Sequence, residues 1–125
     1  MISIINKIIN SFSDTLEVFS GKRNPMVPPA RIVNINAGDA EEIRKIFLQY
    51  FIKLGELKKE SDVLDVGSGF GRMAVPLTGF LSSKSKYEGL ELIKEGVEWC
   101  TKKITPKYPN FKFRRIDVKN GRYNN

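Results

Sequence analysis

Two acids and three glycines are the residues of this chain whose types and spacing suit chemistry. Asp65, Gly67, Gly69 and Gly71 fall together in VLDVGSGFGRM, residues 63–73, and Glu91 follows twenty residues beyond Gly71. A turn with glycine at alternate positions either folds tightly for its own sake or lets a ligand lie against its backbone. Asp65 precedes the first glycine by two residues and sets a carboxylate at the mouth of that turn. A carboxylate placed as Glu91 is, later in a βαβ unit, can accept two hydrogen bonds from the hydroxyls of a ribose. Read alone, each feature has a plainer meaning: a glycine-rich turn without a ligand, and a surface acid.

The surrounding elements must hold these residues at one end of a sheet. Val63, Leu64 and Val66 form a short apolar β-forming run, bounded by Asp62 and the glycines, and predict a buried strand. Met73, Ala74, Val75 and Leu77 predict a helix from about Gly71 that frays near Gly79 and Phe80, with Pro76 tolerated in its first turn. Tyr87–Leu92 reads as a second strand. Residues 94–104 read as a helix with Val97, Cys100 and Ile104 inward, which makes Cys100 a small core residue and Trp99 a packing residue. Phe111–Ile116 reads as a third strand that ends at Asp117.

Upstream, Asp39 and Glu42 resemble a capping box that opens a helix. Its apolar face, Ile43, Ile46, Phe47, Tyr50, Phe51 and Leu54, is expected to pack on the sheet, and Gly55 to cap its end. Residues 21–38 hold Gly21, Pro25, Pro28, Pro29 and Gly38 and read as a loop, either a lid or a connection. Before it, Ile5, Ile8, Ile9, Phe12, Leu16 and Phe19 recur at helical spacing. That helix is expected to dock on the fold or cover the site. Only Lys7 is basic before Lys22, which argues against a membrane-surface helix. The division is therefore residues 1–38, a helix and a proline-containing loop, and residues 39–125, a partial Rossmann-like domain.

Spacing separates the two ligand classes that such a turn serves. The dinucleotide pattern G-x-G-x-x-G places its third glycine inside the helix. Here that glycine comes one residue early, and Arg72 holds the expected place. The pattern D-x-G-x-G-x-G instead resembles motif I of the class I S-adenosylmethionine-dependent methyltransferases. EEIRKIFLQYFIKLGELK and YEGLELIKEGVEWCTKKITPKYPNFKF resemble the same family, over residues 39 to about 120. The resemblance implies an α/β fold, a Rossmann-like parallel sheet, with S-adenosylmethionine as cofactor. Asp65, Gly67, Ser68, Gly69 and Gly71 would hold the methionine part, Glu91 the ribose, and Leu92, Asp117 and Val118 the adenine. The family's sheet runs 3-2-1-4-5-7-6. This sequence supplies strands one to three, in the order 3-2-1, with the C-terminal half missing.

The function implied is methyl transfer to an acceptor not identified by the sequence, a small molecule being favoured over nucleic acid or protein. No catalytic acid or base carries over, because the loop after strand four, where many members hold such residues, has no counterpart here. The chain would then be the cofactor-binding portion of an enzyme, inactive by itself. A non-catalytic nucleoside-binding or partner-binding module is the alternative, and a nicotinamide-dependent dehydrogenase fragment a third reading. Without strand four, VLDVG becomes an open edge through which the chain can self-associate.

Composition narrows the remaining classes. A chain of 125 residues with 41% hydrophobic residues fits one globular domain and excludes a disordered one. The net charge of +7 is spread over scattered Lys and Arg with acids among them, which reads as a solvated surface more than a nucleic-acid patch. One cysteine and no histidine leave no internal disulfide and no Cys/His metal site, and point to the cytoplasm. The first residues lack the continuous apolar core of a signal sequence, and no stretch is built to span a membrane.

Overall fold

The computed structural model describes residues 2–33 and 37–119. In chain order the elements are α1 (Ile2–Phe19), α2 (Ala30–Val33), α3 (Ala37–Lys53), β1 (Val63–Val66), α4 (Ala74–Thr78), β2 (Tyr87–Glu91), α5 (Lys94–Lys103) and β3 (Phe111–Arg115). The strands form one parallel sheet in the order β1-β2-β3. Val63 pairs with Tyr87 and Tyr87 with Phe111, so the strands advance in step and their carboxyl ends lie side by side. This is the expected Rossmann-like α/β arrangement, with β1 at an edge of the sheet.

Both crossovers step the same way across the sheet, and crossovers of one hand then put their helices on one face. The burial pattern follows. Tyr87, Gly89 and Glu91 of β2 and Phe111 and Phe113 of β3 are buried. They pack with Ala74, Leu77, Leu81, Cys100 and Ile104 in one core. Tyr87 stacks on Phe111 with ring centroids 4.7 Å apart. Leu64 and Val66, on the opposite face of β1, are 63% and 70% exposed.

Four local expectations need correction. Helix α4 begins at Ala74, not Gly71, because Gly69 and Gly71 hold φ of 54° and 83°, which no right-handed helix accommodates. The segment 21–38 is not all loop. Pro28 and Pro29 lead into the short α2, where the Pro29 carbonyl accepts from the Ile32 amide, and α3 starts at Ala37. Past α3 the left-handed residue is Glu56 (φ 52°), not Gly55; a Cβ on Gly55 would meet the Phe51 carbonyl oxygen at 2.8 Å. Strand β2 closes at Glu91 and β3 at Arg115, each one residue short of the reading. The side chains of residues 37–40, and with them the Asp39 cap, lie outside the described residues.

The two N-terminal helices differ more. Helix α3 meets α4, and its better-buried side is Arg44, Leu48, Phe51 and Ile52. Ile46, Phe47, Tyr50 and Leu54 of the expected core face are 43%, 43%, 53% and 79% exposed. Helix α1 likewise turns its apolar stripe outward, with Ile8 64%, Phe12 66% and Phe19 91% exposed. Its polar side is what is held. Arg23, 11% exposed in its side chain, donates to Glu17 Oε2 at 2.9 Å, to the Val27 carbonyl at 2.6 Å and to the Asp14 carbonyl at 3.1 Å. Arg31 grips both Asp14 carboxylate oxygens, and that guanidinium holds the Asp14 carboxyl below the usual range.

Among the described residues β1 pairs on one side only, and its other edge is free of Lys and Pro, the kind of edge that can pair with another chain. Residues 1–125 are expected to self-associate through this edge. Val66→Lys should return the protein toward a monomer in sedimentation velocity without loss of helical circular dichroism. A wild-type protein that sediments as a monomer at every accessible concentration would contradict this use of the edge.

Candidate functional site

The carboxyl ends of β1, β2 and β3 carry the residues singled out by the sequence. Asp65 lies within β1 and the turn 67–71 follows it; Glu91 is the last residue of β2 and Leu92 follows it; Asp117 and Val118 lie just past β3. In open α/β sheets this end is where ligands bind. A crevice of about 1540 Å³ opens beside the turn, larger than the ~300–1,000 Å³ of ordinary small-molecule pockets. Asp65, Gly67, Ser68, Gly69 and Gly71 line it, together with residues of α3, α4 and the 21–28 segment. Glu91, Leu92, Asp117 and Val118 are not among the lining residues and sit at or just past the ends of β2 and β3. Asp117 is exposed, and Val118 is 48% exposed.

The turn itself is closed by its own hydrogen bonds. The amides of Gly67 and Ser68 donate to the Leu90 carbonyl at 2.8 and 3.1 Å, and that of Gly71 to the Ser68 carbonyl at 2.9 Å. The Gly69 amide donates to Glu91 Oε2 at 2.6 Å. The other oxygen of Glu91 accepts from the Leu92 and Ile93 amides at 2.8 and 3.0 Å. Glu91 is 7% exposed, so its carboxylate ties the glycine turn to the start of α5. Of roughly four acceptor positions on a carboxylate, three are taken.

Each glycine is needed for a different reason. Gly67, Gly69 and Gly71 all have positive φ, at 87°, 54° and 83°. A Cβ on Gly67 or Gly69 would meet nothing within 4 Å, whereas one on Gly71 would lie 2.9 Å from Ile104 Cδ1 and 3.1 Å from Cys100 Sγ. Gly71 is thus both a turn and a packing residue. Ser68 is buried with its side chain over Gly89, where a Cβ would lie 2.8 Å from Ser68 Oγ. Among the described residues that hydroxyl has no hydrogen-bond partner.

The Asp65 carboxylate acts on two buried neighbours. The Tyr87 hydroxyl donates to Asp65 Oδ2 at 2.5 Å, and burial together with that carboxylate drives the Tyr87 hydroxyl far above its ordinary range. Cys100 is fully buried; burial first, and then the charges of Asp65 and Glu91, push its thiol up to about 12. A thiol that stays protonated at neutral pH is no nucleophile, in agreement with its reading as core.

The sequence reading gave no site role to Gly89, Gly96 or Tyr87, and left the 21–38 segment as either a lid or a connection. A Cβ on Gly96 would meet the Gly69 carbonyl oxygen at 2.6 Å, so α5 rests directly on the turn. Glycines inside a strand and inside a helix are signals of such close approach. Met26 is 7% exposed, and its carbonyl accepts from the Trp99 indole at 3.0 Å, so the proline-containing segment forms a wall of the crevice. Trp99 is a packing residue, as expected. Among the described residues no group of His, Cys, Asp and Glu side chains is placed to hold a metal, and no helix is long and apolar enough to cross a membrane.

No family model matches the chain. Among solved structures it is similar to the MccD protein, at 22% identity over 55% of this chain and 30% of that one, with a TM-score of 0.48. It is similar to a methyltransferase from Geobacter sulfurreducens, at 15% identity over 82% of this chain and 57% of that one, with a TM-score of 0.47. A third is a SAM-dependent methyltransferase from Aquifex aeolicus, at 18% identity over 68% of this chain and 48% of that one, with a TM-score of 0.43. The chain spans between about a third and three-fifths of the length of these three proteins.

The glycine geometry gives a graded expectation for stability. Gly67→Ala meets no neighbour and should cost only the left-handed backbone, about 1–2 kcal/mol. Gly71→Ala adds overpacking against Cys100 and Ile104 and should cost about 2–5 kcal/mol. Urea unfolding of the two variants checks the order; equal losses would mean that α5 does not press on the turn.

Proposed function

We propose that this chain is the cofactor-binding portion of an S-adenosylmethionine-dependent methyltransferase, with residues 39–125 forming the binding domain and residues between 17 and 33 contributing one wall of its crevice. The observation that carries the reading is the state of the glycine turn. The amides of Gly67, Ser68, Gly69 and Gly71 all donate within the protein. A pyrophosphate needs such amides free. A sulfonium does not, and a carboxylate at Asp65 beside an amide-poor turn favours a cation. This weighs against the nicotinamide reading.

The residues present fit the cofactor on these terms. Asp65 would hold its amino group, the backbone from Gly67 to Gly71 with Ser68 would carry its methionine part, and Leu92, Asp117 and Val118 would meet its adenine. Glu91 would take the ribose hydroxyls. With three of its acceptor positions already used, it must share or exchange a backbone donor to do so. When bound, the cofactor supplies an electrophilic methyl group, and the protein's part is to orient the acceptor in line with it. The acceptor itself is proposed to be a small molecule.

The alternative reading is a nucleoside-binding or partner-binding module that transfers nothing. Residues 1–125 alone are expected to show no turnover under either reading, and the gene sequence past residue 125 separates the two. Binding tests the shared part. Calorimetry should find S-adenosylhomocysteine bound and NAD not bound, and Gly69→Val should abolish the former by placing a branched side chain in the crevice. Retained affinity with the fold intact would remove the assignment of the turn. Glu91→Ala should weaken binding by about 1.5–3 kcal/mol, roughly ten- to a hundredfold. Equal affinity of the wild type for adenosine and 2′,3′-dideoxyadenosine would exclude the ribose role.

A further inference from the structure

One side chain links the start of β2 to the acid at the mouth of the glycine turn. Tyr87 is the first residue of β2 and pairs in register with Val63, while Asp65 sits two residues further along β1, opposite Gly89. Two residues of strand advance about 7 Å. The Tyr87 ring covers that step along the face of the sheet, and its hydroxyl donates to Asp65 Oδ2 at 2.5 Å.

The ring that carries this donor is fixed. Tyr87 is 1% exposed, stacks on Phe111 with centroids 4.7 Å apart and leans on Phe113 at 5.7 Å. A phenol hydroxyl shut in a core is costly unless it is bonded, and the Asp65 carboxylate is what bonds it. Burial and the Asp65 charge drive that hydroxyl far above its ordinary range, so it remains a donor at neutral pH.

The carboxylate it holds is used on one side only. Oδ2 is taken from the core, whereas Oδ1 has no hydrogen-bond partner among the described residues. Asp65 is half-buried and lines the crevice. On the core side the thiol of Cys100, pushed up to about 12 by burial and by the charges of Asp65 and Glu91, stays neutral. An anion held by a neutral donor from behind and open in front is suited to receive a cation.

We propose that Tyr87 is a positioning residue of the binding site, which holds Oδ2 of Asp65 from the core and so keeps Oδ1 free and aligned for the ammonium group of the ligand's amino-acid end. Tyr87 is too deeply buried to touch the ligand and acts through Asp65. That an ammonium is the group received rests on the cofactor proposed above. Without the hydroxyl the carboxylate keeps its charge and loses its fixed direction, and a group that must be ordered on binding binds less well than one already in place.

The test is calorimetry on residues 1–125, wild type against Tyr87→Phe, which keeps the ring and its stack on Phe111. S-adenosylhomocysteine carries the ammonium, its des-amino analogue lacks only that group, and 5′-methylthioadenosine lacks the whole amino-acid end. Tyr87→Phe is expected to bind S-adenosylhomocysteine about three- to tenfold more weakly, and the other two as the wild type does. Unchanged 5′-methylthioadenosine affinity also reports that the fold is intact. In an Asp65→Asn background the same substitution should change S-adenosylhomocysteine affinity no further, because the two residues act as a unit. S-adenosylhomocysteine affinity equal to wild type in Tyr87→Phe overturns the positioning role, and so does an equal loss for all three ligands, which marks a packing role alone. A wild type that binds none of the three overturns the cofactor reading and the role of Tyr87 with it.

Discussion

The contact on which the rest of the site depends is the seat of α5 on the glycine turn. Two glycines make it possible, since a Cβ at Gly96 would run into the Gly69 carbonyl at 2.6 Å and one at Gly71 into Ile104 and Cys100. Glu91 then closes the joint from the sheet side, accepting from Gly69 on the turn and from Leu92 and Ile93 at the start of α5. A buried carboxylate is tolerated here because backbone amides take over the hydrogen bonds it gives up with water. Removing that acceptor would strand three amides at once, so the residue proposed to meet the ribose is also the one that holds the turn in shape. Stability and binding at Glu91 are coupled by construction.

That joint also fixes which face of the sheet is covered. With α4 and α5 on one side, the core gathers on Tyr87, Phe111 and Phe113, and the apolar residues Leu64 and Val66 stay outside it. The outward stripes of α1 and α3 follow the same logic. Both helices are held largely on sides other than the one that periodicity marks as buried, α1 through Asp14, Glu17 and Arg23, α3 through Arg44, Leu48 and Ile52. Hydrophobic periodicity predicts that a face will be covered, not by what.

This marks the limit of what was legible in the residues. The three strands, their parallel order and the glycine turn were readable because each rests on local chemistry: short β-forming runs, glycines where φ must be positive, and an acid at a fixed distance. The start of α4 was misplaced because the same glycines that announce the turn also prolong it. The partners of the site were not readable, since they are long-range. Nothing near Trp99 in sequence points to the Met26 carbonyl, 73 residues away. Gly89 and Gly96 did carry a signal, each being out of place in its element, but the neighbour that required them is a matter of tertiary approach.

The charge of the chain gains a local meaning from the structure. Scattered along the sequence, the basic residues read as a solvated surface, and most remain so. A guanidinium donor shut off from water is different in kind, because exposed charges are screened and buried ones are not. Arg44 stands on the helix before the glycine strand and Arg72 just past the glycines. Chain topology therefore brings one cation from before β1 and one from after it to the cavity that Asp65 also lines. The cavity thus carries residues of both signs on its walls, which net charge alone does not show.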